Sequence, residues 1–502
     1  MTDLKMTIDK TNQISKINKE IYGHFAEHLG RCIYGGIFVG EDSPIPNTRG
    51  IRNDVIEALR AIKLPVVRWP GGCFADTYHW RDGIGPKETR RKIVNVNWGG
   101  VTEDNSFGTH EFLDFCELVG CEAYVSVNVG SGTVQEAAEW VEYMTSGNES
   151  PMTELRKKNG REKPWKVKYV GIGNENWGCG GDMTPEYYSN LYKQFHCFIR
   201  GAEQTIACGP SGNDSNWTET LMKNVKPFQM HGLSLHQYTI PTGNWGHKGS
   251  SVDFDEKEYY DTLARTWFME TILKDQEGIM RRYDHRNHVG LIVDEWGIWT
   301  DVLEGTNPGF LYQQNTMRDA ILASINLNLF NEHSARVKMA NIAQMINVLQ
   351  AILLTEGEKM VKTPTYHVFD MYKDHMEAQL VYSNIENVDL LADSEENKKK
   401  PPFAEKDYLP AISQSVSVDA EGKMHITISN ASLNEEFNID CAMPRAEYKT
   451  VSAKILTAKY DAKNTFEEPD AVAPVSYDGV TLDGEKLTVK LPACSVLSIE
   501  LC

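Results

Sequence analysis

The feature that most constrains the fold is an alternation, from about residue 20 to 350, of short β-type runs with amphipathic helical stretches. Eight such runs occur, at IYGHF (21–25), PVVRW (65–69), AYVSVNV (123–129), VKYVGIG (167–173), TIACG (205–209), LSLHQY (233–238), VGLIVDE (289–295) and VKMANIA (337–343). This is the pattern of a parallel sheet built from βα units. Eight is the number that closes a (β/α)8 TIM barrel, so an α/β barrel is the expected fold class. Helices are expected over Asn53–Ala61, His110–Val119, Val134–Met144, Pro185–Ile199, a long stretch around 255–282, and Tyr312–Phe330. Thr184 ahead of Pro185 is a start signal, a capping hydroxyl followed by proline at the first helical position.

After about residue 373 the texture changes. AQLVYSN, QSVSVDA, KMHITISN, EFNIDC, TVSAKIL, KLTVKL and CSVLSIEL are short alternating segments separated by Gly, Asp, Asn and Pro turns. They predict a C-terminal antiparallel β-sandwich. The weak alternation of LKMTID near the N-terminus predicts one more strand for it, and SEENKKKPPFAEKD (394–407) reads as a mobile surface loop. The expected division is a catalytic barrel over 19–373 and an accessory sandwich built from 1–18 plus 374–502. A chain of 502 residues has room for both.

Seventy acidic side chains against 51 basic ones give a net charge of −19. Such a surface repels phosphate backbones and anionic membranes, so neither nucleic acid nor a membrane is an expected partner, while a neutral glycan is permitted. The first twenty residues lack the apolar core of a secretory leader, and no run of about 18 apolar residues occurs, which predicts a cytoplasmic protein. Ten cysteines are scattered without paired CxxC spacing, so no structural zinc site is signalled, and most are expected to be free, buried thiols.

In a (β/α)8 barrel the C-terminal strand ends form the active face. Here these ends carry Glu27, Arg68, Asn128, Asn174, Glu175, His236, Tyr238, Asp294, Glu295 and Gln344. Glu175 and Glu295 stand out, because each follows an apolar strand and precedes a tryptophan within two residues, Trp177 or Trp296. Glycosidic cleavage needs one carboxylic acid to protonate the leaving oxygen and, with retention, a second carboxylate to attack the anomeric carbon. Taken singly, a barrel glutamate more often caps a helix or pairs with an arginine. Asp294 is expected to be a structural hydrogen-bonding partner, since adjacent strand residues point to opposite faces. His79 and His236 are candidate pocket residues, with the weight on His236; buried, hydrogen-bonded histidine is the plain alternative. Trp98 and Trp177 are candidates for stacking on sugars, or for loop packing. His24, Glu27 and His28 also spell the H-x-x-E-H pattern of inverted zinc peptidases, but that motif needs a helix and a third ligand, whereas here it follows a strand and precedes a glycine-rich loop.

GIGNENWG around Glu175, DEWGIW around Glu295, EIYGHFAEHLGRCIYGG (20–36) and VVRWPGGCFADTYHWRDGIGP (66–86), with LHQYT and NIAQMINVLQ, resemble glycoside hydrolase family 51 over the whole chain. The resemblance implies an α-L-arabinofuranosidase acting by double displacement on arabinan, arabinoxylan or their oligosaccharides, with Glu175 as acid/base and Glu295 as nucleophile. It also implies that Glu27, Arg68, Asn174, Tyr238 and Gln344 surround the furanose, that no metal or organic cofactor takes part, and that the chain forms a homo-oligomer, a hexamer by analogy. A β-xylosidase or an endo-acting glucanase or xylanase on the same barrel is the nearest alternative; a non-catalytic glycan-binding protein is more remote. One departure concerns Cys73, which stands where many relatives place a sugar-contacting asparagine. The glycine-rich turn WGCGG puts Cys179 on the same face, so the two sulfurs are expected to lie close together, with pairing left open.

Overall fold

The computed structural model describes residues 2–401 and 406–502. Eight parallel strands close into a barrel: β1 (Gly23–Phe25), β2 (Val66–Trp69), β3 (Glu122–Val127), β4 (Tyr169–Ile172), β5 (Gln204–Ala207), β6 (Gly232–Thr239), β7 (Gly290–Ile298) and β8 (Val337–Ile342). The ring closes where Asn341 and Ile342 of β8 pair with Gly23 and His24 of β1. Val66, Tyr124, Tyr169, Ile206, Ile292 and Met339, from six different strands, form a buried cluster separate from the main core. This layer fills the barrel interior and leaves the polar strand ends to line the mouth. The main core lies between strands and helices.

The expected helices form at Asn53–Ala61, Thr109–Val119, Val134–Thr145, Pro185–Phe198 and Glu256–Tyr283. Thr184 accepts from the Tyr187 N–H as its capping role requires. The helix expected from Tyr312 begins only at Met317 and runs to Glu332, because the Asp319 carboxylate accepts from the Thr316 N–H and hydroxyl and fixes the first turn there. Before residue 373, three helices among the described residues escape the periodicity: Pro151–Lys158, Ser215–Asn224 and Pro364–Tyr372.

The C-terminal strands and Thr2–Lys16 make one ten-stranded, mostly antiparallel sheet folded over its own core of Leu4, Met6, Ile426, Ile439, Leu497 and neighbours. Thr2–Lys16 pairs antiparallel with Gln379–Ile385 but parallel with Phe437–Ala442, the one parallel pairing in the sheet among the described residues. Within 394–407, expected as loop, Glu395–Lys399 is helical and the buried Asn397 side chain donates to the Leu391 and Asp407 carbonyls. The remainder of that expectation, at 402–405, lies outside the described residues.

Candidate active site

The mouth of the barrel is organised around Arg68 on β2, a fully buried guanidinium that has to be paired where it sits. Nη1 donates to Glu295 Oε1 at 2.7 Å, Nη2 donates to Asn174 Oδ1, and Nε lies 3.4 Å from Asp294 Oδ2. The ring of Phe25 packs 4.5 Å from the guanidinium carbon. Asp294 and Glu295 are adjacent in sequence, yet both reach Arg68. The expectation that they face opposite sides fails because β7 bulges: Val293 pairs with Leu235 and Glu295 with His236, leaving Asp294 as the extra residue. Its expected hydrogen-bonding role is realised, since Asp294 accepts from Tyr124 Oη and Asn341 Nδ2.

Glu295 is nearly sealed, its side chain 6% exposed, whereas that of Glu175 is 19% exposed. Tyr238 Oη donates to Glu295 Oε2 at 2.7 Å. Burial acts to raise the Glu295 pKa, but His236, Arg68 and the Tyr238 hydroxyl outweigh it and hold the carboxyl below its usual range. His236 Nδ1 hydrogen-bonds Glu175 Oε1 at 2.9 Å and lies 3.5 Å from Glu295 Oε2. Its imidazole is pushed down by burial and, more strongly in sum, up by Glu295 and Glu175, so it titrates above its ordinary value. Carboxylate oxygens of Glu175 and Glu295 and the His236 nitrogen all lie within 4.8 Å of one another.

Glu175 sits on a turn after β4 in which Gly173 (φ 85°) and Glu175 itself (φ 41°) adopt left-handed backbone. A non-glycine residue held there costs roughly 1–3 kcal/mol and persists only where its surroundings fix it. Asp76 does much of that fixing. This buried carboxylate accepts from the Asn174 N–H with one oxygen and from the Val129 and Gly130 N–H groups with the other, tying the ends of β3 and β4 together. Burial pushes Asp76 up to about 7 although three backbone N–H groups favour its charged form. Cys73, after the Gly71–Gly72 turn, is disulfide-bonded to Cys179, with Cα atoms 5.6 Å apart, and the two sulfurs lie 3.8 and 3.4 Å from Glu175 Oε2. A Cβ at Gly72 would stand 3.2 Å from both Glu27 Oε1 and Glu295 Oε1, so glycine there spares the two carboxylates a tight contact.

Glu27 forms the closed end. It accepts from the Phe74 N–H, Trp98 Nε1 and Gln344 Nε2 at 3.1, 2.9 and 2.9 Å. Burial, followed by the Glu295 charge, lifts its carboxyl to about 7 against those three donors. On the other side of Glu175 a cavity of about 630 Å³ is walled by Trp177, Tyr238, Trp245, Phe268 and Trp299. Trp177 is held by donation to the Gly209 carbonyl, and Trp299 stands edge-on to both Tyr238 and Trp245.

Several sequence candidates lie elsewhere. Trp296 is fully buried against Phe330 and Phe369, behind the sheet. His79 pairs with Glu136, and Asn128 spends its amide on the Ser131–Gly132 turn and the Tyr78 carbonyl. The H-x-x-E-H residues diverge: His24 packs 4.6 Å from the Phe369 ring, where burial lowers it to about 3, while His28 has both ring nitrogens engaged, by Glu103 and Trp69. Among the described residues they form no ligand cluster. Asp76, Trp245, Phe268 and Trp299 are not found by the sequence reading. Trp299 carries a usable signal, as a second tryptophan just past Glu295; Trp245, in a Gly/Asn-rich loop after β6, carries a weaker one.

Two family models match the chain, the α-L-arabinofuranosidase 1 domain over residues 58–257 and the α-L-arabinofuranosidase C-terminal domain over 294–495. An intracellular exo-α-L-arabinofuranosidase of Bacteroides ovatus is 50% identical over 490 residues, covering 97% of this chain and 93% of the relative. Among solved structures, the GH51 arabinofuranosidase of Xanthomonas axonopodis pv. citri superposes with a TM-score of 0.95 at 44% identity over the full length of both chains. The arabinose complex of the Thermotoga maritima α-L-arabinofuranosidase gives 0.85 at 29% identity over 99% of each. With these matches and the paired carboxylates at the mouth, the chain belongs to glycoside hydrolase family 51, among its α-L-arabinofuranosidases.

Proposed function

We propose that the protein is a retaining, exo-acting α-L-arabinofuranosidase in which Glu295 is the nucleophile and Glu175 the acid/base. The observation that carries this reading is that one oxygen of the Glu175 carboxylate and one of the Glu295 carboxylate lie within 4.8 Å of each other. Double displacement uses carboxyl groups about 5–5.5 Å apart, whereas inversion needs about 6.5–9.5 Å to admit water between them. The environments divide the roles. Glu295, sealed and stabilised in its charged form by Arg68 and Tyr238, attacks the anomeric carbon. Glu175, at the edge of the open cavity and against His236, delivers a proton to the departing oxygen and then takes one from the water that releases the sugar. His236, poised between both, is placed to follow the changing charge of Glu175 through the cycle.

Glu27, Gln344, Asn174 and Trp98 close the end of the pocket that would hold the arabinofuranosyl ring, and the Cys73 sulfur, unable to donate a hydrogen bond in its disulfide, offers an apolar edge there. The aromatic cavity beyond Glu175 suits the acceptor sugars. The name of the Bacteroides ovatus relative, an intracellular exo-enzyme, supports a cytoplasmic enzyme that trims arabinose-bearing oligosaccharides from plant cell-wall glycans. We further propose residues 19–373 as the catalytic barrel, 1–18 plus 374–502 as its accessory sandwich, and a homo-oligomeric assembly that sedimentation would test.

Proton NMR of the first product released from an aryl α-L-arabinofuranoside tests the mechanism: the α-anomer is expected, and initial β-arabinose would refute double displacement. A panel of arabinan and arabinoxylan oligosaccharides, aryl xylosides and cellulose tests the substrate. Preferential turnover of the xyloside or of internal glucan bonds would replace the arabinofuranosidase reading.

A further inference from the structure

We infer that Cys73, Cys179 and Glu175 form a redox-gated site for a thiophilic divalent cation such as Zn²⁺ or Cd²⁺, closed while the two cysteines are joined and opened by a dithiol reductant. Two turns from different strand ends bring the three groups together, and the candidate ligand atoms lie within 4.8 Å of one another. Ligand atoms around a tetrahedral zinc ion, with Zn–S of about 2.3 Å and Zn–O of about 2.1 Å, are roughly 3.6–3.8 Å apart. The sulfurs of Cys73 and Cys179 already lie 3.8 and 3.4 Å from Glu175 Oε2. Only the sulfur–sulfur separation has to open, a matter of side-chain rotation once the bond is cleaved. Cys179 is exposed, so reductant and metal both have access, and a solvent water can take the fourth position. Two thiolates and a carboxylate are a ligand set that favours zinc or cadmium over magnesium or calcium.

The chemistry balances in two stages. A dithiol reductant attacks one sulfur, forms a mixed disulfide and leaves as its own cyclic disulfide, so Cys73 and Cys179 together gain two electrons and two protons. Metal binding then displaces the two thiol protons while Glu175 contributes its carboxylate. The other close thiol pair, Cys116 with Cys121, has no third ligand: among the described residues, the only groups of three or more candidate ligands include Glu175. A coordinated Glu175 cannot exchange a proton with substrate, so occupancy should stop turnover; this consequence, unlike the binding itself, rests on the acid/base role proposed above.

The test uses the full chain, oxidised or reduced with dithiothreitol and then desalted without air. Cd²⁺ is titrated by thiolate-to-metal absorption and Zn²⁺ by calorimetry, with turnover of an aryl arabinofuranoside followed in parallel. The reduced protein is expected to bind one equivalent more than the oxidised protein, to lose activity over the same range and to regain it with EDTA. Reduced Cys179→Ser and reduced Cys73→Ser should both lack the extra equivalent. Equal stoichiometry in oxidised and reduced protein, or an extra equivalent that survives in either variant, would overturn the site. Should cysteine-dependent binding leave turnover undiminished, reduced Glu175→Gln decides: loss of the extra equivalent in that variant keeps the metal site and sinks the acid/base role of Glu175, whereas an unchanged affinity removes Glu175 from the ligand set and overturns the site as proposed.

Discussion

The barrel mouth and the seam between barrel and sandwich both bury polar side chains, but they do so in opposite ways. At the seam, helix Met317–Glu332 faces the strands Ile412–Val418 and Met424–Asn430 with neutral groups. Asn328 donates to Ser413 Oγ and accepts from Ser415 and Thr427, while Asn331 donates to Ser415 Oγ and accepts from Tyr22. These amides and hydroxyls bury no formal charge between the two surfaces, and His375, bonded there to Ser417 and Thr427, is kept neutral by burial, which lowers it to about 3. At the mouth the buried groups are charged and unequal: Arg68, Glu295, Glu27 and His236 shift one another's titration, and the carboxylates converge on a hollow. Neutral, mutually satisfied polar groups hold surfaces together; charged groups whose environments differ can do acid–base chemistry.

Substitutions can break this contrast. The largest effect is expected from Glu295→Gln, which should cut kcat by about 10⁴-fold or more while near-UV circular dichroism stays native, because on the proposed mechanism it removes the attacking oxyanion. Glu175→Ala should follow, with a loss of about 10²–10⁴-fold on natural oligosaccharides. The loss in bond cleavage should be far smaller on aryl arabinosides, whose leaving groups need little protonation; equal losses on both would count against the acid role. Tyr238→Phe removes one hydrogen bond to a charged carboxylate, about 1.5–3 kcal/mol, and so should slow kcat/KM roughly tenfold to a hundredfold.

The reverse holds at the seam. Asn328→Ala strands several buried hydroxyls and should cost about 1–3 kcal/mol in a denaturant titration with kcat/KM unaltered. A mouth-like loss of turnover there would dissolve the distinction. The smallest effect concerns His333, at the end of the seam helix between Glu270 and Glu277 (2.8 and 2.9 Å), where burial is outweighed by the two carboxylates and the imidazole titrates at about 9. Because the folded value lies above the unfolded one of about 6.5, its contribution is complete below pH 6.5 and is lost as pH rises through 9. Melting temperature should therefore decline over that window in the native protein and less in His333→Gln.

The strands and both central glutamates are legible in the sequence, because short β-type runs recur between helical stretches and end in chemically distinctive residues such as NEN and DEW. What escapes depends on relations that no linear pattern encodes. Asp76 acts by accepting three N–H groups from two distant strand ends, and the bulge that turns Asp294 inward with Glu295 is a property of pairing with β6. The missed helices at Pro151 and Pro364 carry the same Ser/Thr-Pro start that marks Pro185, but each is only two turns long and gives little periodicity.

Peptide mapping after covalent trapping with a mechanism-based arabinofuranoside inhibitor reaches the division of labour between the two acids directly. A single adduct on Glu295, absent in Glu295→Gln, is the expected result. Labelling of Glu27 or Glu175 in the native protein, or turnover of the inhibitor with no adduct on β7, would contradict it.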